Sequence, residues 1–280
     1  MDAYENFSDA WTAGANKTIY LLNSVTLNAL QILNGKNYSI NLDGHTLTLR
    51  GHPNAGTTGG AICLMGSIYG GGDLSICNGT LRMTGENFST YGIYTYSEDN
   101  LTLKNLTIDS NCQTVIYANG QQGGSDGDLV LDNVTINSTH SSGTALAIYA
   151  YKGYWDPAVI TYNSSIKNTT INATYNAVMI YANSPVFEDC NISATNNNAL
   201  WINNSSMASG YAGTVSIKGN TTITAGSDYK RLNAQGSNKI AIIEGTYNFD
   251  PTNNNSKNYV DTSSYDVADN GDGTWTVTAK

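Results

Sequence analysis

The sequence predicts an all-β fold: a single-stranded right-handed parallel β-helix, a solenoid in which every turn of the chain adds one short strand to each of a few parallel sheets. Three observations predict it. One phrase recurs along the chain, at residues 74–80 (LSICNGT), 101–108 (LTLKNLTI), 129–136 (LVLDNVTI) and 164–171 (SSIKNTTI), with looser copies at 186–192 and 215–223. Within each copy apolar residues alternate with polar ones for three to five positions before a polar residue interrupts, the period of a short strand. The composition agrees, since 12% of residues are charged and β-branched, aromatic, Asn and Ser residues are abundant where helix formers are scarce. A unit of this size cannot bury its own apolar face, so stacking on a copy of itself is what stabilises it, and a crossover that returns to a parallel neighbour is right-handed in nearly all cases.

Taken in order, residues 1–14 predict a capping helix. Ala3, Tyr4, Phe7, Ala10 and Trp11 form an apolar stripe at helical spacing and Gly14 follows as a stop. Residues 15–245 hold the coils. Leu74 and Leu101 are 27 residues apart, Leu101 and Leu129 are 28 apart, and Ala177 and Ala199 are 22 apart, so a coil takes a little over twenty residues with insertions. A second phrase alternates with the first: GIYT at 92–95, VIYAN at 115–119, AIYA at 147–150, MIYAN at 179–183 and WINN at 201–204. Residues 246–280 predict a closing hairpin, its turn in 269–273 (DNGDG) between two alternating runs. Two stretches, 121–128 and 151–157, lengthen their coils. Both follow the Ile-Tyr phrase, which predicts that they project from one side, where recognition usually resides.

Asn falls at the bend in four copies, as Asn78, Asn105, Asn133 and Asn168. Asn tolerates left-handed backbone better than any residue but Gly, and its amide reaches the same group one coil away at roughly 4.8 Å. The expected result is a buried asparagine ladder that ends or changes near Asp189 and Gly219. The phrases, this ladder and residues 40–49 (INLDGHTLTL) resemble the pectate-lyase-like right-handed β-helix superfamily, in particular the non-catalytic repeats of gut-bacterial surface adhesins and of phage spikes and fibres. Residues 245–251 and 265–277 are similar to a closing hairpin of bacterial extracellular proteins. The resemblance covers nearly the whole chain. It implies a rigid stalk or contact surface and, by the fibre likeness, a homo-oligomer, a trimer being the form expected.

Several function classes fit the chain badly. With a net charge of -9 from 13 basic and 22 acidic residues, nucleic acid and anionic membranes are poor partners, and no window is apolar enough to span a bilayer. Met1 is followed by neither a basic nor an apolar run of the kind a secretory signal requires. The superfamily also contains lyases, polygalacturonases and depolymerases, so acids on adjacent coils deserve inspection, since glycoside hydrolysis needs carboxylates about 5 to 9.5 Å apart. Glu188 with Asp189, Asp132, Asp109, and Asp126 with Asp128 are the candidates. Yet the Gly-His-Gly turn, Asp-Asp pair and Arg-x-Lys of the polygalacturonase pattern are absent, His45 sits in Asp-Gly-His-Thr, and Lys230 and Arg231 have no spacer. His45, His52 and His140 are isolated. Asp269, Asn270 and Asp272 open like a calcium loop but lack its closing Glu. Neither a metal, a cofactor nor a catalytic residue is expected. Cys63, Cys77, Cys112 and Cys190 show no ligand spacing and read as small core residues, with a disulfide or reactive thiol as the alternative.

The candidate binding surface is aromatic. If Ile93, Ile116, Ile148 and Ile180 point inward, alternation sends Tyr94, Tyr117, Tyr149 and Tyr181 outward as a stripe suited to sugars or to a protein partner, with Tyr154 and Trp155 of the nearby insertion beside it. Cross-strand stacking that merely stabilises neighbouring strands is the alternative. The seventeen Asn-x-Ser/Thr triplets follow from the Asn-plus-Thr repeat and carry no further weight. The function expected is that of a non-enzymatic phage virion surface protein, a head fibre, decoration or spike component touching host-surface glycan or neighbouring virion proteins. A passenger module of a bacterial cell-surface adhesin, extracellular, is one alternative and a polysaccharide-degrading lyase or hydrolase another.

Overall fold

The computed structural model describes residues 6–32, 36–50, 61–64, 72–84, 91–95, 99–120, 126–152, 159–203, 213–236 and 239–280. Strands dominate them and the sheets are largely parallel. A fifteen-stranded sheet runs through Thr18–Tyr20, Tyr38–Asn41, Asp73–Met83, Asn100–Ser110, Gly127–Ser138, Tyr162–Lys167, Val186–Glu188, Thr214–Ala225 and Lys239–Tyr247, with shorter strands such as Thr46–Leu49, Thr170–Ala173 and Asn191–Ala194 paired alongside. An eight-stranded sheet runs through Leu30–Ile32, Ile62–Leu64, Tyr91–Thr95, Thr114–Asn119, Thr144–Tyr149, Asn176–Tyr181, Leu200–Asn203 and Leu232–Ala234. Up to the closing hairpin the chain visits the two sheets in alternation, and in each the spatial order of the parallel strands follows the order in sequence.

The recurring phrases pair with one another residue for residue. Leu74, Leu101, Leu129 and Ser164 are register partners, as are Ile76, Leu103, Leu131 and Ile166, continuing through Phe187 and Ile217 to Ile242. In the eight-stranded sheet Leu30, Ile62, Ile93, Ile116, Leu146, Val178, Leu200 and Leu232 form one column. All of these apolar side chains are buried in a single core. Burying each large aliphatic contributes about 1.5–3 kcal/mol, and a one-residue slip would turn a whole strand's set to water.

The bends lie where the Asn residues stand. Asn78, Asn105, Asn133, Asn168 and Asp189 have φ between 49° and 61°, and Gly219 continues the series at 68°. At the next strand Gly245 has φ 152° and pairs with Gly219. A Cβ on Gly245 would run into the Gly219 carbonyl oxygen, so this junction needs glycine both for conformation and for close approach.

A helix spans Phe7–Ala13, N-capped by Asn6, whose Oδ1 accepts from Asp9 N at 3.0 Å. Trp11 stacks on Tyr38 with ring centroids 3.8 Å apart and planes 12° from parallel. At the other end Trp275–Ala279 pairs antiparallel with Lys239–Tyr247 on one side and Tyr265–Asp269 on the other. The turn of that hairpin has Gly271 and Gly273 at positive φ.

Candidate interaction surface

On the eight-stranded sheet, Ile93, Ile116, Ile148 and Ile180 are fully buried in the core. Tyr94, Tyr117, Tyr149 and Tyr181 point the other way and form one file of ring contacts: 5.2 Å from Tyr94 to Tyr117, 4.7 Å edge-on from Tyr117 to Tyr149, and 4.0 Å from Tyr149 to Tyr181. The file is not straight. Tyr94 is the register partner of Tyr117, but Tyr117 faces Ala147, and Tyr149 faces Asn119 and Tyr181. The Ile-Tyr phrases therefore shift by two residues between the strands ending at Asn119 and Tyr149. Such a shift preserves inward and outward faces because the side-chain period is two.

Exposure corrects the simple picture of an open stripe. Tyr94 and Tyr149 are buried, at 5% and 7% exposure, while Tyr117 and Tyr181 are half-buried. Asn119 Nδ2 donates to the Tyr94 hydroxyl at 2.7 Å, and Asn203 Nδ2 donates to that of Tyr181 at 2.9 Å. Burial holds the Tyr149 phenol above its ordinary pKa, helped by a hydrogen bond with Tyr181 and by the other phenols of the file. A fifth ring, Tyr91, lies parallel to Tyr117 at 4.8 Å and against Tyr94 at 4.9 Å. Strict alternation would put Tyr91 inside with Ile93, and it turns out because the position between them, opposite the buried Val115, is a buried Gly92. Beyond the file the outward row continues through Met179, Trp201 and Asn233. Tyr154, Trp155 and His52 lie outside the described residues, as does the first part of the 121–128 insertion.

The outer side of the long sheet carries rows of polar side chains. Asn133 Nδ2 donates to Asn105 Oδ1 at 2.9 Å, Asn105 to Asn78 at 3.1 Å, and Asn78 to Asn41 at 3.2 Å. Asn78, Asn105 and Asn133 are exposed and Asn41 is half-buried, contrary to the expectation of a buried ladder: the left-handed bend turns the first three side chains out along the corner. At Asn168 the row changes partner, donating to Asp132 at 3.0 Å. Two further rows were not read from the sequence. Asn100 donates to Asp73 at 2.7 Å and Asn163 to Asp128 at 3.2 Å; Asn137 donates to Asp109 at 2.9 Å and Asn172 to Asn137 at 3.1 Å. A fourth column alternates in charge, its register running Lys104, Asp132, Lys167, Glu188, Lys218.

Every acid that sequence inspection singled out has a structural partner. Glu188 sits between Lys167 and Lys218 at 2.9 and 3.1 Å, and these contacts hold its carboxyl below the ordinary value. Asp109 accepts from Asn137 and faces Arg82 at 3.8 Å, and Asp132 accepts from Asn168. Asp126 accepts from Thr161 N at 2.7 Å, Asp128 from Asn163, and Asp189 from Asn220 N at 2.8 Å. Among the described residues no three His, Cys, Asp or Glu side chains gather as a metal site, and no helix is long and apolar enough to cross a membrane. His140 Nδ1 accepts from Ser142 N at 3.2 Å within its turn. Cys112 and Cys190 are buried free thiols, pushed by burial up to about 12 and about 11, and Cys77 is a half-buried free thiol. Of Cys63 only the backbone is described.

No family model, curated protein or solved structure matches the chain.

Proposed function

We propose that the chain is a right-handed parallel β-helix acting as a non-enzymatic surface protein: a head fibre, decoration or spike component of a phage virion that offers a rigid face to host-surface glycan or to neighbouring virion proteins. The observation that carries this reading is the pair of parallel ladders whose strand order follows the sequence and whose side chains repeat as unbroken columns. Two sheets visited alternately in that order require the chain to wind, and parallel crossovers wind right-handed. A rod built this way is stiff over its length, and its outer faces repeat with the coil spacing of roughly 4.8 Å, a geometry suited to an extended polymer or an identical rod. The candidate acids favour the same reading over a hydrolase, since each is already held by an amide, a backbone N–H or a cation.

The test is the solution mass by light scattering, followed on the same sample by a bacterial-glycan screen with product analysis. A trimer that retains glycans uncut is the expected result. A monomer that binds no glycan would replace the reading with that of an inert adhesin module, and released oligosaccharide would overturn both.

A further inference from the structure

The closing hairpin and the loop leading to it border an open cleft at the C-terminal end, lined by Asp250, Thr252 and Thr262 together with Tyr265, Asp269 and Trp275, and by Asp266 and Lys280. Tyr265 and Trp275 are only half-buried, although the centres of their strands, Val267 and Val277, face each other, with Val277 in the core and Val267 packed against it. The polar groups are held in place. Asp250 Oδ1 accepts from Thr252 N at 2.8 Å and from its hydroxyl at 2.6 Å, leaving the other carboxylate oxygen without a partner. Asp269 likewise spends only Oδ1, on Gly271 N at 2.8 Å. Lys280 Nζ donates to Thr262 O at 2.7 Å and lies 3.7 Å from Asp266.

Half-exposed aromatic rings bordered by fixed acceptors with spare lone pairs are the chemistry that grips a pyranose: the apolar C–H face of the sugar packs on the ring and its hydroxyls donate to carboxylate oxygens. The charge of the walls selects further. Asp250, Asp266 and Asp269 against Lys280 disfavour a phosphorylated or carboxylated sugar. We infer that this cleft binds one neutral pyranose unit of a glycan. The inference rests on the glycan-contact reading above and places one contact at the end of the molecule, apart from the tyrosine file.

The indole N–H resonance of Trp275, one of four in the chain and assigned by its loss in Trp275→Phe, would be followed by NMR. The probes are methyl β-glucopyranoside, methyl β-galactopyranoside, methyl α-mannopyranoside and methyl N-acetylglucosaminide, with N-acetylneuraminic acid as the anionic control. The expected result is a saturable shift with at least one neutral glycoside, none with the control, and affinity weakened about tenfold, or about 1.4 kcal/mol, in Asp250→Asn. That variant keeps the Oδ1 acceptor of the loop and so its fold, which unchanged hairpin resonances would verify. Absence of a shift with every neutral glycoside, or unchanged affinity in Asp250→Asn, would overturn the cleft. Glycan-array binding that survives in Asp250→Asn would also discard the cleft while keeping the glycan-contact reading. A blank array with a saturable Trp275 shift would do the reverse.

Discussion

Asn133 combines two separable contributions. Its backbone is left-handed, at φ 54°, and its amide donates to Asn105 on the neighbouring parallel strand. Asn133→Leu is expected to lose a hydrogen bond of about 1 kcal/mol and to add left-handed strain of about 1–2 kcal/mol, whereas Asn133→Gly loses only the first. Urea midpoints at constant slope measure the difference, and equal midpoints for the two variants would remove the backbone share. The buried thiols give a second residue-scale prediction. Cys112 and Cys190 are neutral in the fold at pH values where the unfolded thiol, with its ordinary value of 9.0, already ionises. Between 9.0 and about 12 the folded state therefore binds the extra proton, so stability is full below pH 9 and falls as pH rises through that window. Replacing both, Cys112→Ala with Cys190→Ala, should flatten this alkaline decline, and an unchanged slope of midpoint against pH would assign the decline to the buried phenols of Tyr149 and Tyr247, which burial shifts in the same direction. The bend asparagines were legible from sequence because positive φ restricts residue choice so strongly. Their exposure was not, since a repeat reveals that a bend recurs but not which way its side chain turns. Tyr91 was hidden for a related reason: period-two reasoning fails at a strand where two successive residues, Gly92 and Ile93, both face inward.

At the scale of elements, register is the property most in need of specification, because near-identical phrases invite a slip by one coil. The charge column addresses this. Lys104, Asp132, Lys167, Glu188 and Lys218 alternate along five successive strands, so displacing a strand by one coil sets like charges opposite each other. Glu188→Gln should lower the urea midpoint at pH 7 and low salt, and less so in high salt. The carboxyl's folded value lies below its ordinary 4.5, so its stabilisation is present above that value and lost as pH falls through the folded one. Wild-type and variant midpoints should thus converge in acid, and a gap that persists there would mean that the carboxylate charge is not what stabilises the column. The column escaped sequence reading although all five residues stand in the aligned phrases, because uneven spacings of 21 to 35 residues between its members conceal a pairing that only the register exposes. The tyrosine file was half legible for the same cause. Its members were found, but the two-residue jog after Tyr117 was not, because GIYT, VIYAN and AIYA align by letter more readily than by strand position.

For the whole molecule, the two ends decide how stability is distributed. In the solenoid proposed above each repeat would interact with its nearest neighbours, so an end left uncovered is expected to fray inward rather than release the entire core. The ends here differ in kind: a seven-residue helix resting Trp11 on Tyr38 at one, and an antiparallel hairpin bonded to the last long strand at the other. The helix contributes through side-chain packing, with Phe7 in the core and Trp11 stacked on Tyr38, the hairpin through continuous backbone pairing, so the N-terminal end is the weaker. Trp11→Ala should remove amide-exchange protection from Thr18–Tyr20 and Tyr38–Asn41 while leaving the central strand Gly127–Ser138 as protected as in the wild type. Uniform loss of protection would instead mean that the columns of the core couple all coils into one cooperative unit. That outcome is possible in principle because the aliphatic columns are continuous from Ile40 to Ile242. Continuity of packing is nonetheless not equality of packing: the first strands of both sheets are three or four residues long, against eleven or twelve at the centre of the long sheet and six at the centre of the other. Fewer paired residues per coil leave less to resist opening, which is why fraying confined to the first coils is the expected outcome.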